Sequence, residues 1–376
     1  MPKTPSDEDV ITHLSHRPAH ILKSLIHIDK LAAKPSAVEP RPSPAESSIG
    51  LLDLLPLEIF HDILNLLDFQ SLSRFLRVSQ RGRATVESLP AYYHLTQHAP
   101  DTLSALGQSH LISYHSAGRL HAVLRSAACV ACKRFGVFLF LPTCERCCNV
   151  CSVFNESFWL MPLSEAEKAI PQPELKNLPV MQNIPGVYGV SHRLGPRRLK
   201  FVGLRAAREL AKANVSMGTS TITSDMTDQM KHDAPLEPVL DNPSLILPAD
   251  DPRLRSHELV PSDLRDLATI EFPYLQPDNS LEHGHWCKGC QWRFSRWCSG
   301  KLPANALDDL VPFDMTHILP DYAVYDLTPL NSQANPFIIL HNLNLYVRSK
   351  SELLTHVVGC YGVDQILSTM DIGRWN

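Results

Sequence analysis

Residues 51–89 constrain the fold most, because apolar residues recur there at helical spacing. Four of them follow the i, i+3, i+4, i+7 pattern of one helix face, namely Phe60, Ile63, Leu64 and Leu67. Pro56 suits the first turn of a helix, and Asp68 and Ser79 can cap two more. The pattern predicts three short helices with more apolar surface than so small a unit can bury, and therefore a partner.

The same residues resemble the motif of the F-box family. The matching segments are, in order, Leu55-Pro56-Leu57-Glu58-Ile59, Ile63-Leu64, Leu67, Leu72 and Arg77-Val78-Ser79. Many F-boxes carry a tryptophan shortly after the Val-Ser step, whereas residues 80–83 of this chain contain none. An F-box docks on the Skp-type adaptor of a cullin–RING ubiquitin ligase. The resemblance implies that a set of side chains is buried on such an adaptor: Leu55, Pro56, Ile59, Ile63, Leu64, Leu67, Leu72 and Val78.

Length and charge set the broad class of protein. At 376 residues the chain can form about two to three domains. Its net charge of −4 gives no reason to expect nucleic acid or an anionic membrane as a partner. No apolar run reaches the roughly 18 residues that a membrane span needs, and the first residues, MPKTPSDEDV, are charged where a signal peptide would be apolar. We therefore expect an intracellular protein of the cytoplasm, the nucleus or both.

Composition divides the chain into segments. Residues 34–48 are rich in Pro and Ser, which indicates a flexible arm over residues 1–49, with a weak helical pattern from His20 to Ala33. The F-box-like helices take residues 50–95. Residues 96–213 hold a helical neck and the first cysteine cluster, and residues 214–262, polar and rich in Pro, form a mobile insertion. Residues 263–376 are predicted to form a unit of strands and a helix, with strands at 322–327 and 337–346.

Six of the ten cysteines lie close together, which favours a metal site over disulfides in a chain without a secretory signal. They are Cys129, Cys132, Cys144, Cys147, Cys148 and Cys151. Two cysteines separated by two residues can reach one tetrahedral Zn²⁺ from a tight turn, and a second such pair completes four thiolates. The apolar run 135–141 predicts a strand between the pairs. Four thiolates leave no open coordination position, so the pattern predicts a structural zinc ion.

Spacing alone leaves the second pair open between Cys144/Cys147 and Cys148/Cys151, although the longer loop fits a zinc ribbon better. The stretch FLFLPTCERCC is similar to one in a group of filamentous-fungal F-box proteins. That resemblance implies a defined ligand set, with Cys144 in reserve: Cys129, Cys132, Cys148 and Cys151.

A second zinc site is predicted from residues that are far apart in the sequence. Cys287 and Cys290 form another close pair, and Ser349 and Glu352 form a capping box at the start of a helix that carries His356 and Cys360. Positions i and i+4 share one helix face, so the last two can point at one ion. The same fungal group ends in a helix of this form. Three other residues compete as ligands: Cys298, His283 and His285.

No catalytic motif is present in the sequence, which lacks a nucleophile elbow, a phosphate-binding glycine loop and an HExxH helix. One basic cluster offers a different function, a zinc-dependent nucleic-acid or chromatin binder, and consists of Arg193, Arg197, Arg198, Lys200, Arg205, Arg208 and Lys212. Aromatic residues for base stacking are not interleaved with it.

These inferences predict a mainly α-helical protein with small β elements, in which a three-helix F-box precedes an irregular domain with long loops and two structural zinc ions. The predicted function is that of a non-catalytic substrate receptor of a ubiquitin ligase, which binds a Skp-type adaptor and an unknown protein substrate.

Overall fold

Helices dominate the fold and the strands are short and antiparallel, as the sequence predicts. The computed structural model describes residues 6–28, 47–188, 193–194, 199–216, 266–307 and 336–369. The helices are α1 Asp7–Leu14, α2 Ala19–Leu22, α3 Leu57–Leu66, α4 Phe69–Phe75, α5 Gln80–Ser88, α6 Pro90–His98, α7 Pro100–Gln108, α8 Ala117–Leu124, α9 Asn149–Phe154, α10 Leu163–Ala169, α11 Gln172–Leu175, α12 Leu204–Ser216, α13 Lys288–Cys298, α14 Pro336–Leu345, α15 Lys350–Val357 and α16 Tyr361–Thr369. Short 3-10 helices span Gly50–Leu54, Glu156–Phe158 and Ala304–Leu307.

The strands make several small sheets rather than one large one. They are β1 Ser15–His16, β2 Phe138–Phe140, β3 Glu145–Cys147, β4 Leu160–Pro162, β5 Met181–Gln182, β6 Val187–Tyr188, β7 Arg193–Leu194, β8 Lys200–Gly203, β9 Thr269–Glu271, β10 Tyr274–Leu275, β11 Leu281–Glu282, β12 His285–Cys287 and β13 Val347–Arg348. Among the described residues, no helix has both the length and the apolar character that a membrane crossing requires.

Helices α3, α4 and α5 start at the residues that the sequence marks for this purpose. Asp68 accepts a hydrogen bond from the backbone N–H of Ser71 at 2.9 Å and caps α4. Ser79 accepts one from the N–H of Gly82 at 3.0 Å and caps α5. Pro56 immediately precedes α3. Each cap satisfies an N–H group that the first helical turn leaves without a backbone partner.

The main core lies among helices α3 to α8 and continues into the first small sheet. Apolar residues from successive helices are buried in it, among them Leu64, Leu72, Val86, Leu95, Leu106, Leu120 and Leu124. Helix α8 packs against both α3 and α6. At one end the N–H of Ala117 donates a hydrogen bond of 2.8 Å to the carbonyl of Leu67. The first helices are therefore fixed to those that follow.

The predicted strand between the cysteine pairs forms as β2, the central strand of a sheet in the order β3-β2-β9. Leu139 of β2 pairs with Arg146 of β3 and with Ile270 of β9. All three residues of β2 are buried. A strand that is covered on both faces needs no polar alternation, which explains its continuous apolar sequence.

A second sheet, in the order β4-β8-β5, supports helix α12 and closes a smaller core that contains Ile170 and Val202. Helix α12 follows β8 directly, and α10 begins at Leu163, directly after Pro162. The predicted insertion lies outside the described residues except for its first few, which end α12.

One strand predicted in the C-terminal unit is a helix in the structure. Residues 337–346 form most of helix α14, which packs against α13. A continuous apolar run does not by itself distinguish a buried strand from a buried helix, and Pro336 at the first position favours the helix. The strand expected at residues 322–327 lies outside the described residues.

The N-terminal segment corrects the prediction of a flexible arm over residues 1–49. Strand β1 adds to a sheet in the order β1-β12-β13, with Ser15 opposite Cys287. Helix α1 packs against α15 and buries Leu14. Leu25 and Ile26 are buried in the main core. Residues 6–28 therefore fold onto partners from the C-terminal unit. Within the described part of the weak helical pattern, residues 20–28, the helix is α2, and residues 29–33 lie outside the described residues.

A single buried arginine joins the helices to the sheet. The guanidinium of Arg146 donates hydrogen bonds to the carbonyls of Val123 at 3.0 Å, Gly136 at 2.7 Å, Phe272 at 3.0 Å and Pro273 at 2.6 Å. Burial lowers the pKa of Arg146 to about 10, so the side chain stays charged at neutral pH. Its planar fork of donors satisfies carbonyls from three chain segments at once.

Replacing Arg146 with lysine is expected to destabilise the fold, because one ammonium group cannot reach all of these carbonyls. Each buried carbonyl left without a partner costs about 1–3 kcal/mol, so we expect a loss of about 3 kcal/mol in the free energy of unfolding. Thermal unfolding of the R146K variant measures it. The matched control is R205K, since Arg205 is exposed and forms its ion pair with Glu209 on the same helix. Equal unfolding midpoints for the two variants would contradict this role of Arg146.

Candidate functional site

An exposed apolar face covers the outer side of the first helices. Its members come from the 3-10 helix at Gly50–Leu54, from α3 and from the turn after α4, and are Leu51, Leu52, Leu54, Leu57, Ile59, Ile63, Leu66 and Val78. Leu51 is 85% exposed and Leu66 is 77% exposed. A monomer rarely leaves so many large apolar side chains of one region in water, which marks the face as a site of protein interaction.

Helix α3 has apolar residues on two sides, and only one side faces the chain's own core. Phe60 and Leu64 are buried against the other helices. Ile59, Ile63 and Leu66 are spaced i, i+4, i+7 on a neighbouring side of the helix and are exposed. A helix with two apolar sides needs a second partner to cover the outer one.

The structure corrects part of the predicted contact set. Leu64 and Leu72 are 1% and 0% exposed, so they stabilise the chain's own core and are not available to a partner. Leu55 and Leu67 are half-buried against that core. Of the other predicted members, Pro56 is exposed, as are Ile59, Ile63 and Val78.

The predicted contact set omits five members of the apolar face: Leu51, Leu52, Leu54, Leu57 and Leu66. Two features of the sequence indicated these residues. The run Leu51-Leu52 stands ahead of the helix start, and Leu66 completes a second helical stripe with Ile59 and Ile63.

Polar contacts hold the 3-10 helix that carries Leu51 and Leu54. The carboxylate of Asp53 accepts hydrogen bonds from the Ser48 hydroxyl at 2.6 Å and from the Ile49 N–H at 3.0 Å. It also forms an ion pair of 2.5 Å with Arg81 of α5. The Ser48 hydrogen bond is the main reason that the pKa of Asp53 is lowered. These contacts fix the segment against α5 and so hold its leucines in an exposed position.

The first cysteine group consists of the four residues that the fungal resemblance implies. The sulfur atoms of Cys129, Cys132, Cys148 and Cys151 all lie within 4.8 Å of one another. Three of these residues are buried, and Cys132 is partly exposed. Cys129 and Cys132 flank a tight turn that a 2.7 Å hydrogen bond from the Cys129 N–H to the Arg134 carbonyl closes. Cys148 caps α9, whose first turn carries Cys151.

The geometry of this group fits a tetrahedral metal ion. With zinc–sulfur bonds of about 2.3 Å, the sulfurs of a four-thiolate site lie about 3.8 Å apart, and the distance between the Cys132 and Cys148 sulfurs is 3.6 Å. Hydrogen bonds from Cys132 and the other two thiols lower the pKa of Cys129. The group therefore favours a thiolate, which is the form that binds metal.

Cys144, the predicted reserve ligand, and Cys147 lie outside the first cysteine group. Cys144 occupies the turn between β2 and β3 with a positive φ of 51°, and burial raises the pKa of its thiol to about 12. The three residues of β3 separate it from Cys148, which makes four residue steps or about 13 Å along an extended strand. Neither Cys144 nor Cys147 joins the group of ligand atoms within the described residues.

The second group joins the close pair at residues 287 and 290 to the C-terminal helices. The ligand atoms of Cys287, Cys290, His356 and Cys360 lie within 4.8 Å of one another. The Cys290 sulfur is 3.2 Å from Nε2 of His356, and the Cys287 sulfur is 3.8 Å from that of Cys360. Hydrogen bonds from Cys290 and Cys360 lower the pKa of Cys287 to about 3. Three thiols and one imidazole at these distances are a donor set for a divalent metal.

The helix that supplies the second group is shorter than expected. The capping box of Ser349 and Glu352 forms, and α15 carries His356. It ends at Val357, however, so Cys360 lies in the turn before α16 rather than on the same helix. The exposed residues Val358 and Gly359 make that turn. The two ligands converge because the chain folds back after α15, and not because they share a helical face.

The competing ligands of the second group do not reach it. His283 bonds to Glu271 at 3.0 Å. His285 precedes Cys287 by two residues and stands opposite Arg348 in the sheet. Cys298 is exposed at the far end of α13, about 16 Å from the start of that helix at 1.5 Å per residue.

The basic cluster offers little to nucleic acid in the described part of the chain. Arg205 pairs with Glu209 on the same helix at 2.8 Å, and Lys200 is exposed at the start of β8. Arg197 and Arg198 lie outside the described residues. No observation here favours the nucleic-acid hypothesis.

Comparison with known families assigns part of this chain. The family model of the F-box domain matches residues 52–94, which include most of the apolar face and end within α6. No curated protein and no solved structure matches the chain.

Proposed function

Because the chain is an F-box protein, we propose that it is the substrate-recognition subunit of an SCF-type cullin–RING ubiquitin ligase. F-box domains bind Skp-type adaptors in SCF complexes. The observation that carries the proposal is the coincidence of the matched residues 52–94 with the apolar face, which the chain's own core leaves in water. A function of this kind places the protein inside the cell, in the cytoplasm, the nucleus or both.

The adaptor contact is assigned to the exposed members of the apolar face. Ile59, Ile63 and Leu66 would bury themselves on the adaptor from α3, with Leu51 and Leu54 beside them. Leu55, Pro56, Leu67 and Val78 remain in the proposed contact set at its edge. Buried apolar anchors of this type supply most of the binding energy of an interface.

The two cysteine groups would hold structural Zn²⁺ ions and thereby organise the surface that receives the substrate. Four protein ligands fill a tetrahedral site and leave no position for water or substrate, so zinc supplies folding energy there rather than chemistry. Cys129, Cys132, Cys148 and Cys151 would hold the first ion, and the second group would hold the other. Residues 96–213 and 263–376 then act as the receptor part, with the F-box at residues 50–95 as the connection to the ligase.

The proposed mechanism is proximity. A receptor that is bound to the adaptor and to a target protein at the same time holds the target near the ubiquitin-loaded enzyme of the complex. Tethering raises the effective concentration of the target without any chemical step by the receptor itself. The chain therefore needs no catalytic residue of its own in this function.

Reconstitution tests the proposal. The full chain, a Skp-type adaptor and a cullin are mixed and separated by size-exclusion chromatography. We expect the chain and the adaptor to elute together as a complex of one copy each, and to carry the cullin with them. Separate elution of the chain and the adaptor would contradict the proposal.

A further inference from the structure

The side chain of Tyr346 stands between the two cysteine groups. Tyr346 follows α14 and directly precedes β13. The guanidinium carbon of Arg134 is 4.7 Å from the centre of its ring, and that of Arg348 is 4.6 Å from the same centre. Burial raises the pKa of Tyr346 to about 12, so the phenol is neutral at neutral pH. Two cations attracted to one ring connect the chain segments that carry them.

Arg134, the first of these arginines, is hydrogen-bonded to a member of the first cysteine group. The carbonyl of Arg134 accepts the 2.7 Å hydrogen bond from the N–H of Cys129 that closes the turn between the first two ligands. Lys133, the residue before it, has a positive φ of 63° and donates its N–H to the Cys129 carbonyl at 2.9 Å. A shift of Arg134 therefore moves the turn on which Cys129 and Cys132 depend.

Arg348, the second arginine, contacts a member of the second cysteine group. The Nη2 atom of Arg348 is 4.0 Å from the sulfur of Cys290, and the residue is 4% exposed. Arg348 pairs with His285 in the strand that leads to Cys287. Zn²⁺ with three thiolates and a neutral imidazole carries a net charge of −1, which this buried guanidinium offsets. The charge of a filled second site would therefore act directly on the position of Arg348.

We propose that Tyr346, through its contacts with Arg134 and Arg348, couples the two metal sites, so that a metal ion in one site strengthens metal binding in the other. The inference rests on the proposed zinc sites. A filled second site holds Arg348 at the Cys290 thiolate. Arg348 then fixes the Tyr346 ring against Arg134, and Arg134 in turn holds the Cys129 turn in the conformation that binds metal. Linkage requires the coupling to be reciprocal.

A double-mutant cycle on the full chain tests the coupling. The Zn²⁺ affinity of the first site is measured by competition with a chromophoric chelator, with and without the C290S substitution that opens the second site. In the wild-type background we expect C290S to weaken the first site about ten-fold. In the Y346L background the same substitution should weaken it less than about two-fold.

Two further variants separate a ring contact from a general loss of packing. Y346F keeps the ring and should keep the coupling, whereas Y93L, at an exposed tyrosine of α6, should leave it unchanged. Coupling that survives in Y346L, or is lost in Y346F as fully as in Y346L, would overturn the proposal.

A second measurement covers the case in which C290S does not fold. Chelator-driven release is followed in protein with all ligands intact. Coupling strengthens the weaker site while the other is filled, so the chelator concentrations that release the two ions should lie about ten-fold closer together in the wild type than in Y346L. Equal separations in the two proteins would overturn the coupling and leave the zinc sites in place, while protein that binds no zinc would overturn the sites themselves.

Discussion

Replacing Ile63 with aspartate is expected to weaken adaptor binding by about 2 kcal/mol or more, roughly a thirty-fold increase in Kd. Ile63 is 41% exposed at the centre of the apolar face. A carboxylate there would be desolvated without a partner in the complex, whereas in the free chain it remains in water. The measurement is a titration of the adaptor against both proteins by calorimetry.

Two controls make the result specific. Leu281 on β11 has a similar exposure of 38% and lies outside the F-box match, so L281D should bind the adaptor as the wild type does. Leu64 is 1% exposed, so its replacement should change the stability of the fold. L64A is expected to lower the free energy of unfolding by about 2–5 kcal/mol because it leaves a cavity in the core. Wild-type affinity in I63D would exclude the apolar face as the adaptor contact.

Replacing Cys148 with serine is expected to reduce the metal content from two zinc ions per chain to one and to unfold the region around the first site. Binding of a structural zinc ion contributes apparent free energies on the order of 10 kcal/mol to folding, because the site does not exist in the unfolded chain. Elemental analysis gives the stoichiometry, and a thermal scan gives the stability.

The remaining cysteines supply the controls for this experiment. C298S changes an exposed residue outside both groups and should keep both ions and the wild-type stability. C144S tests the reserve ligand, which occupies the turn between β2 and β3, and should also keep both ions. Loss of an ion in C144S, or two ions retained in C148S, would overturn the proposed ligand set.

Local signals in the sequence predicted local structure well. The caps at Asp68 and Ser79 and the capping box at Ser349 form as expected, because each is decided by a few neighbouring residues. The close cysteine pairs likewise indicated two metal-binding groups, but Cys144/Cys147 has the same spacing as Cys148/Cys151, and only the fungal resemblance implied which of the two joins Cys129 and Cys132. The F-box motif identified the matched region.

Long-range packing decided what the sequence did not reveal. Leu64 and Ile63 are adjacent and similarly apolar, and the packing of α3 on the chain's other helices buries Leu64 and leaves Ile63 exposed. Residues 337–346 have no periodicity that separates helix from strand. Cys360 was expected on the helix of His356 because nothing nearby marks the end of that helix except Gly359.

The attachment of residues 6–28 has a consequence for biosynthesis. Lys288 donates hydrogen bonds to the carbonyls of Thr12 and His13, and the first of these contacts spans 276 positions of the chain. A ribosome makes β1 long before it makes β12 and β13, and contacts of such separation form slowly because their loop must close first. The earliest of these segments to be synthesised is therefore among the last to reach its native place, and the apolar Leu14 stays exposed to chaperones and proteases until residues 287–363, which cover it, have been translated.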